Sequence, residues 1–369
     1  TNPTTWLSSP PASVHSRSRT TTPARLATAE TENPVAAVDP VMSRVRVTTG
    51  ARIHVGFLNL SLAHDRLYGG IGLGLDRPRT VVTAAPADGI ECDHPVARDY
   101  VSRAVDRLGV PGAAVTVDAA LPRHAGLGSG TQLAGAVLAA VGRAHGLEPD
   151  VRALAPALGR GGRSGVGVAT FEAGGFVIDA GHPTEQFTPD RPADGAWDVP
   201  EVAVRRDLPD AWRFLVVIPD TERGRSGDTE EESIRSVVER ADPGTADRVA
   251  GAVTRRLLPA VAAGSHERFG AAIRSIGRLN GTWYADEQGG VYRPPAGEIV
   301  AALDDDPACH GVGQSSWGPC VYAVTHADRV DAARAAGHAA LDDAGVTGTV
   351  LVTTARNRGA DVESAGRLG

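Results

Sequence analysis

The sequence predicts an α+β protein of two lobes, and three observations predict it. Short runs of apolar or alternating residues are interspersed with longer stretches of helical period, the mixture that layers helices against sheets. The 369 residues, 42% of them hydrophobic, suffice for two core-bearing lobes or one large unit. A fresh strand-like run, Phe214-Leu215-Val216-Val217-Ile218, opens near Trp212 and marks the start of a second lobe. No internal repeat is visible.

Residues 1–42 are rich in Ser, Thr and Pro with little apolar periodicity, and are expected to be a disordered tail. Within them Ser13–Ala29 is Arg/Ser-rich and acid-poor, like a transit peptide. The duller reading is a non-native or upstream-translated tail, with Met42 as the natural start. The first lobe is expected over residues 43–211. Arg44-Val45-Arg46-Val47-Thr48 alternates as a half-buried strand does, and Val81–Ala85, Ala113–Val117 and Phe176–Ile178 read as further strands. Helices are expected at Val96–Leu108, Thr131–His145 and Val151–Leu158. The second lobe, residues 212–356, is expected to carry helices at Glu230–Glu239, Ala246–Ala262, Glu267–Leu279 and Arg329–Asp343, with strands at Val321–Thr325 and Val350–Thr353. Residues 357–369 are expected to be a flexible tail.

A net charge of -7 without a basic stripe argues against nucleic acid as the main partner. Leu133–Val141, among the longest apolar runs, is far short of the roughly 18 residues that cross a bilayer, so no membrane association is expected. Three cysteines without a CxxC pair read as reduced thiols in a cytoplasm. The sequence contains no lysine, which removes Schiff-base and P-loop lysine chemistry. Anions must therefore be held by Arg, His and backbone N–H groups.

The strongest local signal is Pro122-Arg123-His124-Ala125-Gly126-Leu127-Gly128-Ser129-Gly130-Thr131-Gln132, which follows a strand and runs into an apolar helix. Glycines let the backbone approach an anion, and a helix N-terminus aims free N–H groups and positive dipole at it. Ser129 and Thr131 add hydroxyl donors, so the segment reads as a phosphate cradle.

The stretch Pro-x-x-x-Gly-Leu-Gly-Ser resembles the second motif of the GHMP kinase superfamily, and Gly311-Val312-Gly313-Gln314-Ser315-Ser316-Trp317-Gly318 stands where that superfamily carries its third. Further blocks, Arg52–Phe57, Tyr68–Leu73, Gly159–Gly167, Phe171–Asp179, Ile218–Gly224 and Gly313–Pro319, resemble one branch of it, the β-ribofuranosylaminobenzene 5'-phosphate synthases. These enzymes join phosphoribosyl pyrophosphate to 4-hydroxybenzoate with loss of carbon dioxide. The resemblance implies a GHMP-kinase-like fold, with an N-terminal lobe like domain 2 of ribosomal protein S5 and a ferredoxin-like C-terminal lobe. The superfamily's kinases usually carry an acidic residue beside the acceptor hydroxyl. The corresponding stretch here is Gly162-Arg163-Ser164-Gly165, a guanidinium where a base would stand.

On that resemblance, Arg163, Ser164, Asp179 and His54 are the expected catalytic residues. Substrate binding falls to Arg52, Arg123, Gly126, Gly128, Ser129, Gly130, Thr131, Gln132, His182, Ser315, Ser316 and Trp317, with Trp317 stacking on an aromatic ring or packing in the core. Magnesium is expected with the pyrophosphate donor, its ligands unassigned but with Asp179, Glu172 and Asp220 as candidates; no organic cofactor is expected. The partners are small molecules, the donor and an aromatic or heteroaromatic carboxylate, and a homodimer is compatible with the pattern. Two acceptors fit the branch. The lysine-free, Ala/Arg/Gly-rich composition favours an aminopyrazole dicarboxylate, as in C-nucleoside antibiotics of the formycin and pyrazofurin type, over 4-hydroxybenzoate, as in methanopterin-type cofactors. An ATP-dependent small-molecule kinase is the reading from a different class.

Overall fold

The computed structural model describes residues 35–37, 44–188, 192–221 and 228–365. The first sheet is built on two long antiparallel strands, Arg44–Asn59 and Arg66–Pro86. Val45 and Val47 are buried while Arg44 and Arg46 face outward, the alternation of a strand with one wet face. Ala113–Ala119 adds to one side, and Phe176–Asp179 followed by Val202–Arg206 branches from the other end of Arg66–Pro86. Register shifts at Gly50/Ala51 and His54/Gly56 bend the first strand, and the second of these re-aims His54. The helices Pro95–Leu108 and Ser129–Ala144 pack together on this sheet. The latter is buried on nearly every side, which is why its sequence is apolar all round.

The second sheet runs His310–Gln314, Val321–His326, Trp212–Pro219, Gly348–Thr353, antiparallel throughout. In chain order this is second, third, first, fourth strand with helices after the first and third, the β-α-β-β-α-β ferredoxin-like pattern. Each lobe has a core of its own, and a third cluster is shared between them. Ile53, Phe57, Leu73 and Phe176 of the first sheet join Phe214 and Tyr322 of the second, with Phe269 and Ile273 of the long helix His266–Gln288 among them.

Several expectations need correction. The tail at 357–369 is not free over its described part: Asp361–Ala365 pairs antiparallel with Arg44–Thr48 and extends the first sheet. Its anchor is Arg356, whose buried guanidinium pairs with Asp76 at 3.2 Å and Asp361 at 3.0 Å. Of residues 1–42, Val35–Ala37 forms a strand against Leu147–Pro149, contrary to a wholly disordered segment; the rest of 1–42 lies outside the described residues. The helix expected at Ala246–Ala262 is interrupted by a π turn at Val253–Leu257, just before Pro259, which has no N–H to continue the ladder. His310–Gln314, for which no element was expected, is an edge strand.

Candidate active site

The cleft has two chambers separated by a common wall. The first, about 490 Å³, is floored by the turn after strand Ala113–Ala119 and by the N-terminus of helix Ser129–Ala144. That N-terminus has no acidic residue in its first turn and no side-chain cap. Its amide N–H groups therefore face the chamber with their dipole uncompensated. Gly126 (φ 90°) and Gly128 (φ 77°) hold left-handed conformations. A Cβ on Gly126 would also collide with the Ser315 carbonyl, so glycine is required there.

The loop is fixed by two distant segments. Arg52 donates through its backbone N to Leu127 O (3.0 Å) and through Nη1 to Gly126 O (2.9 Å). Ser315 donates to Gly126 O (2.7 Å) and accepts from His54 N (3.1 Å), while Ser316 N reaches His54 O (3.1 Å). Ser315 is wholly buried, so its hydroxyl ties backbone together and is not a substrate contact as expected. Ser316 and Trp317, by contrast, line both chambers.

The lining of the second chamber, about 340 Å³, includes several glycines and the side chains of His54, Arg163 and Ser164 from the first lobe and Asn280, Tyr284 and Tyr292 from the second. Trp317 meets Tyr284 edge to face at 4.5 Å. The Tyr292 hydroxyl is buried with no hydrogen-bond partner among the described residues, and burial pushes it up to about 12, so it can only donate to or accept from a guest as a neutral phenol. Arg163 lies over the Tyr68 ring, 5.8 Å from its centre. His54 Nε2 is 3.2 Å from Ser164 Oγ, which in turn donates to Asp179 Oδ2 at 3.2 Å. Serine stands between histidine and aspartate, so this is not a nucleophilic triad, in which histidine stands in the middle. Burial, with Arg52 alongside, holds His54 well below its usual 6.5, and the ring is neutral at neutral pH.

Asp179 is completely buried and its carboxylate is already engaged. It accepts from Gly165 N (2.7 Å) and Gly181 N (3.0 Å) as well as from Ser164 and the Gly70 amide. Burial nevertheless raises it to about 6. A Cβ on Gly70 would strike Ser164 Oγ, so glycine there is what lets this cluster close. Asp179 thus sets the Gly162–Gly165 turn and has no lone pair left for a metal. Glu172 pairs with Arg152 at 2.8 Å, and Asp220 accepts from Thr347 at 2.8 Å; neither lines the cleft. The one carboxylate lining a chamber among the described residues, Asp194, is paired with Arg103 at 2.7 Å. This donor set does not fit a protein-held magnesium ion.

Gln132 and His182 also depart from expectation. Gln132 is buried, accepting from Thr49 (2.6 Å) and donating to Gly167 O (2.9 Å), and so joins the helix to its neighbours. His182 Nε2 bonds the Gly162 carbonyl and packs on Trp197, behind the chamber wall. Ser129, Gly130 and Thr131 line the first chamber, with Arg123 exposed at its mouth. Arg160 was not singled out by the sequence, yet it belongs to the common wall with Arg52, Thr131 and Ser316. It bonds Tyr100 through Nη2 and lies over that ring at 5.4 Å. Its position between glycines in a matched block was the available signal. Nothing local to Asn280, Tyr284 or Tyr292 marked them.

Residues 97–175 match the GHMP kinases N terminal domain and residues 257–343 the GHMP kinases C terminal domain. Two proteins named beta-ribofuranosylphenol 5'-phosphate synthase are similar over nearly their whole length. That of Methanothermobacter thermautotrophicus is 31% identical over 85% of this chain and 97% of its own. That of Archaeoglobus fulgidus is 32% identical over 86% and 99%. The chain belongs to the β-ribofuranosylphenol 5'-phosphate synthase branch of the GHMP superfamily. Its fold is shared at lower identity with homoserine kinase from Cytophaga hutchinsonii (TM-score 0.62, 16% identity, 89% of this chain and 100% of that one). Mevalonate diphosphate decarboxylase from Staphylococcus aureus is a second such neighbour (TM-score 0.59, 14% identity, 87% and 98%). Among the described residues of this family member, no helix is long and apolar enough to cross a membrane.

Proposed function

We propose that this enzyme joins the anomeric carbon of phosphoribosyl pyrophosphate to the carboxylate-bearing carbon of 4-hydroxybenzoate, releasing pyrophosphate and carbon dioxide. The observation that carries the reading is the pair of chambers meeting at one wall. The donor is an α-pyrophosphate, and a β-riboside, the product in the relatives' name, requires attack from the opposite face. Acceptor and pyrophosphate must therefore lie on opposite sides of the reacting carbon. The first chamber, with helix amides, Ser129, Thr131 and Arg160, suits the phosphates. The second, with Trp317, Tyr284 and Tyr292, suits a planar ring.

As the bond from the ring carbon to the anomeric carbon forms, the bond from that carbon to the pyrophosphate oxygen breaks and its electron pair leaves with the pyrophosphate. The para oxygen pushes electrons into the ring during attack. Cleavage of the bond to the carboxylate then returns an electron pair to the ring, and carbon dioxide departs. Arg163 faces an anionic oxygen of the acceptor, and neutral His54 keeps a second positive charge out of that chamber. Arginines and amides meet the pyrophosphate charge, and a magnesium ion, where used, arrives on the donor. The protein's contribution is positioning and electrostatic stabilisation.

The composition that favoured an aminopyrazole dicarboxylate is outweighed by the named relatives, which form a phenol. The test is incubation with phosphoribosyl pyrophosphate and each acid in turn, with mass detection of the decarboxylated riboside phosphate. Product from 4-hydroxybenzoate is expected. Product from the aminopyrazole dicarboxylate alone, or ATP consumption without pyrophosphate release, would overturn the reading.

A further inference from the structure

Away from the cleft, three imidazoles meet at one end of the second sheet. His266 is the first residue of the long helix His266–Gln288, His310 the first of the edge strand His310–Gln314, and His326 the last of its neighbour Val321–His326. None lines either chamber. A close helix–strand contact fixes their spacing. Gly270 and Gly311 touch backbone to backbone: a Cβ on Gly311 would collide with Gly270, and one on Gly270 with His310. His266 lies four residues before Gly270, on the same helix face, and His310 immediately precedes Gly311. The glycine pair therefore sets the two rings 5.3 Å apart, centre to centre. His310 pairs with Val324 across the strands, which places His326 diagonally on the same sheet face. The His326 ring stacks on His266 at 4.9 Å and is held from behind by Asp328 at 2.6 Å. Glu267, exposed in the first turn of the helix, brings a carboxylate oxygen to the same point.

We propose that His266, His310 and Glu267 form a binding site for a divalent transition-metal ion of the zinc class. Their ligating atoms lie within 4.8 Å of one another, and small side-chain rotations close that gap onto a single ion. Two imidazoles and one carboxylate select zinc over magnesium, which prefers an all-oxygen octahedral shell. Three protein ligands leave the fourth tetrahedral position to water. His326 is not a ligand; its stacked ring limits the freedom of His266. The bound ion clamps the start of the long helix to the edge strand, a contact independent of the cleft and of the reaction assigned to it.

Full-length protein, freed of metal with a chelator, would be titrated with zinc sulfate in a calorimeter and melted with and without zinc. One equivalent should bind with micromolar or tighter affinity and raise the melting temperature. His310→Ala should weaken binding by about tenfold or more and abolish that rise, while melting near the wild type without zinc. Glu267→Gln, at an exposed position, should weaken binding severalfold and serves should His310→Ala fail to fold. No binding by the wild type, or binding unchanged in Glu267→Gln and His310→Ala, overturns the proposal.

Discussion

The two chambers of the cleft are built from different material. The first presents backbone: amides at the head of helix Ser129–Ala144 and glycines at 126, 128 and 130. The second adds side chains drawn from segments more than one hundred residues apart, His54 and Arg163 facing Asn280, Tyr284 and Tyr292. A backbone site gains strength from many equivalent donors, so the loss of one hydroxyl changes it little. A side-chain site concentrates its charge in single groups, so the loss of one removes most of what it does. The contrast predicts unequal responses to substitution.

The largest effect is expected at Arg163. Replacing it by alanine removes the arginine assigned to the acceptor and should lower kcat/KM for the acceptor about 100-fold, since charge-assisted hydrogen bonds contribute about 1.5–3 kcal/mol. Arg163→Lys keeps the charge but loses the planar fork, and should cost about tenfold. Donor affinity and melting temperature should hold in both variants. A matching fall in donor affinity would dissolve the division between chambers, and a fall in melting temperature would make Arg163 structural.

A smaller effect follows from Asp179, which burial raises to about 6 from an ordinary 3.8. Its ionised form accepts the hydrogen bonds that place Ser164 and Gly165, and it is lost as the pH falls through 6. Turnover should decline by about tenfold per unit below that point. Stability should move the other way. The native carboxyl binds its proton before the unfolded one does, so its contribution to stability rises as pH falls from about 6 to 4. Activity and melting temperature measured across that range should diverge. If they fall together, Asp179 does not act through the Ser164 turn.

The smallest effect belongs to the first chamber. Ser129→Ala removes one neutral donor among several, so donor affinity should weaken about three- to tenfold by calorimetry, with the acceptor KM unchanged. A loss of 100-fold would mean that this chamber, too, depends on single side chains.

The same contrast governs how much could be read from sequence. The glycine loop is contiguous, so the turn that brings Gly126, Gly128, Ser129 and Thr131 to the cleft at the head of a helix was legible from residue order alone. The strand and helix periods were legible too, because burial alternates along Arg44–Thr48 and surrounds Ser129–Ala144. Tyr284 and Tyr292 lie on and after a long helix whose pattern speaks only of the core, and convergence on His54 exists only in three dimensions. Asp179, Gln132 and Ser315 misled for the opposite reason. They lie in or just after matched motifs beside the cleft, but burial has turned their polar atoms inward to hold neighbouring segments. Asp361–Ala365 carries too little hydrophobic pattern to announce a strand; its place is fixed by Arg356 and by an open edge waiting on Arg44–Thr48.

That closing strand has a consequence for biosynthesis. Arg44–Thr48 leaves the ribosome more than three hundred residues ahead of its partner Asp361–Ala365. Until that partner emerges, the outer edge of the first sheet offers unpaired N–H and C=O groups to any neighbouring chain. Polysomes that crowd several nascent copies would bring such edges together before any copy can cover its own. Arg44, exposed on that edge, sets a charge against its counterparts during the interval.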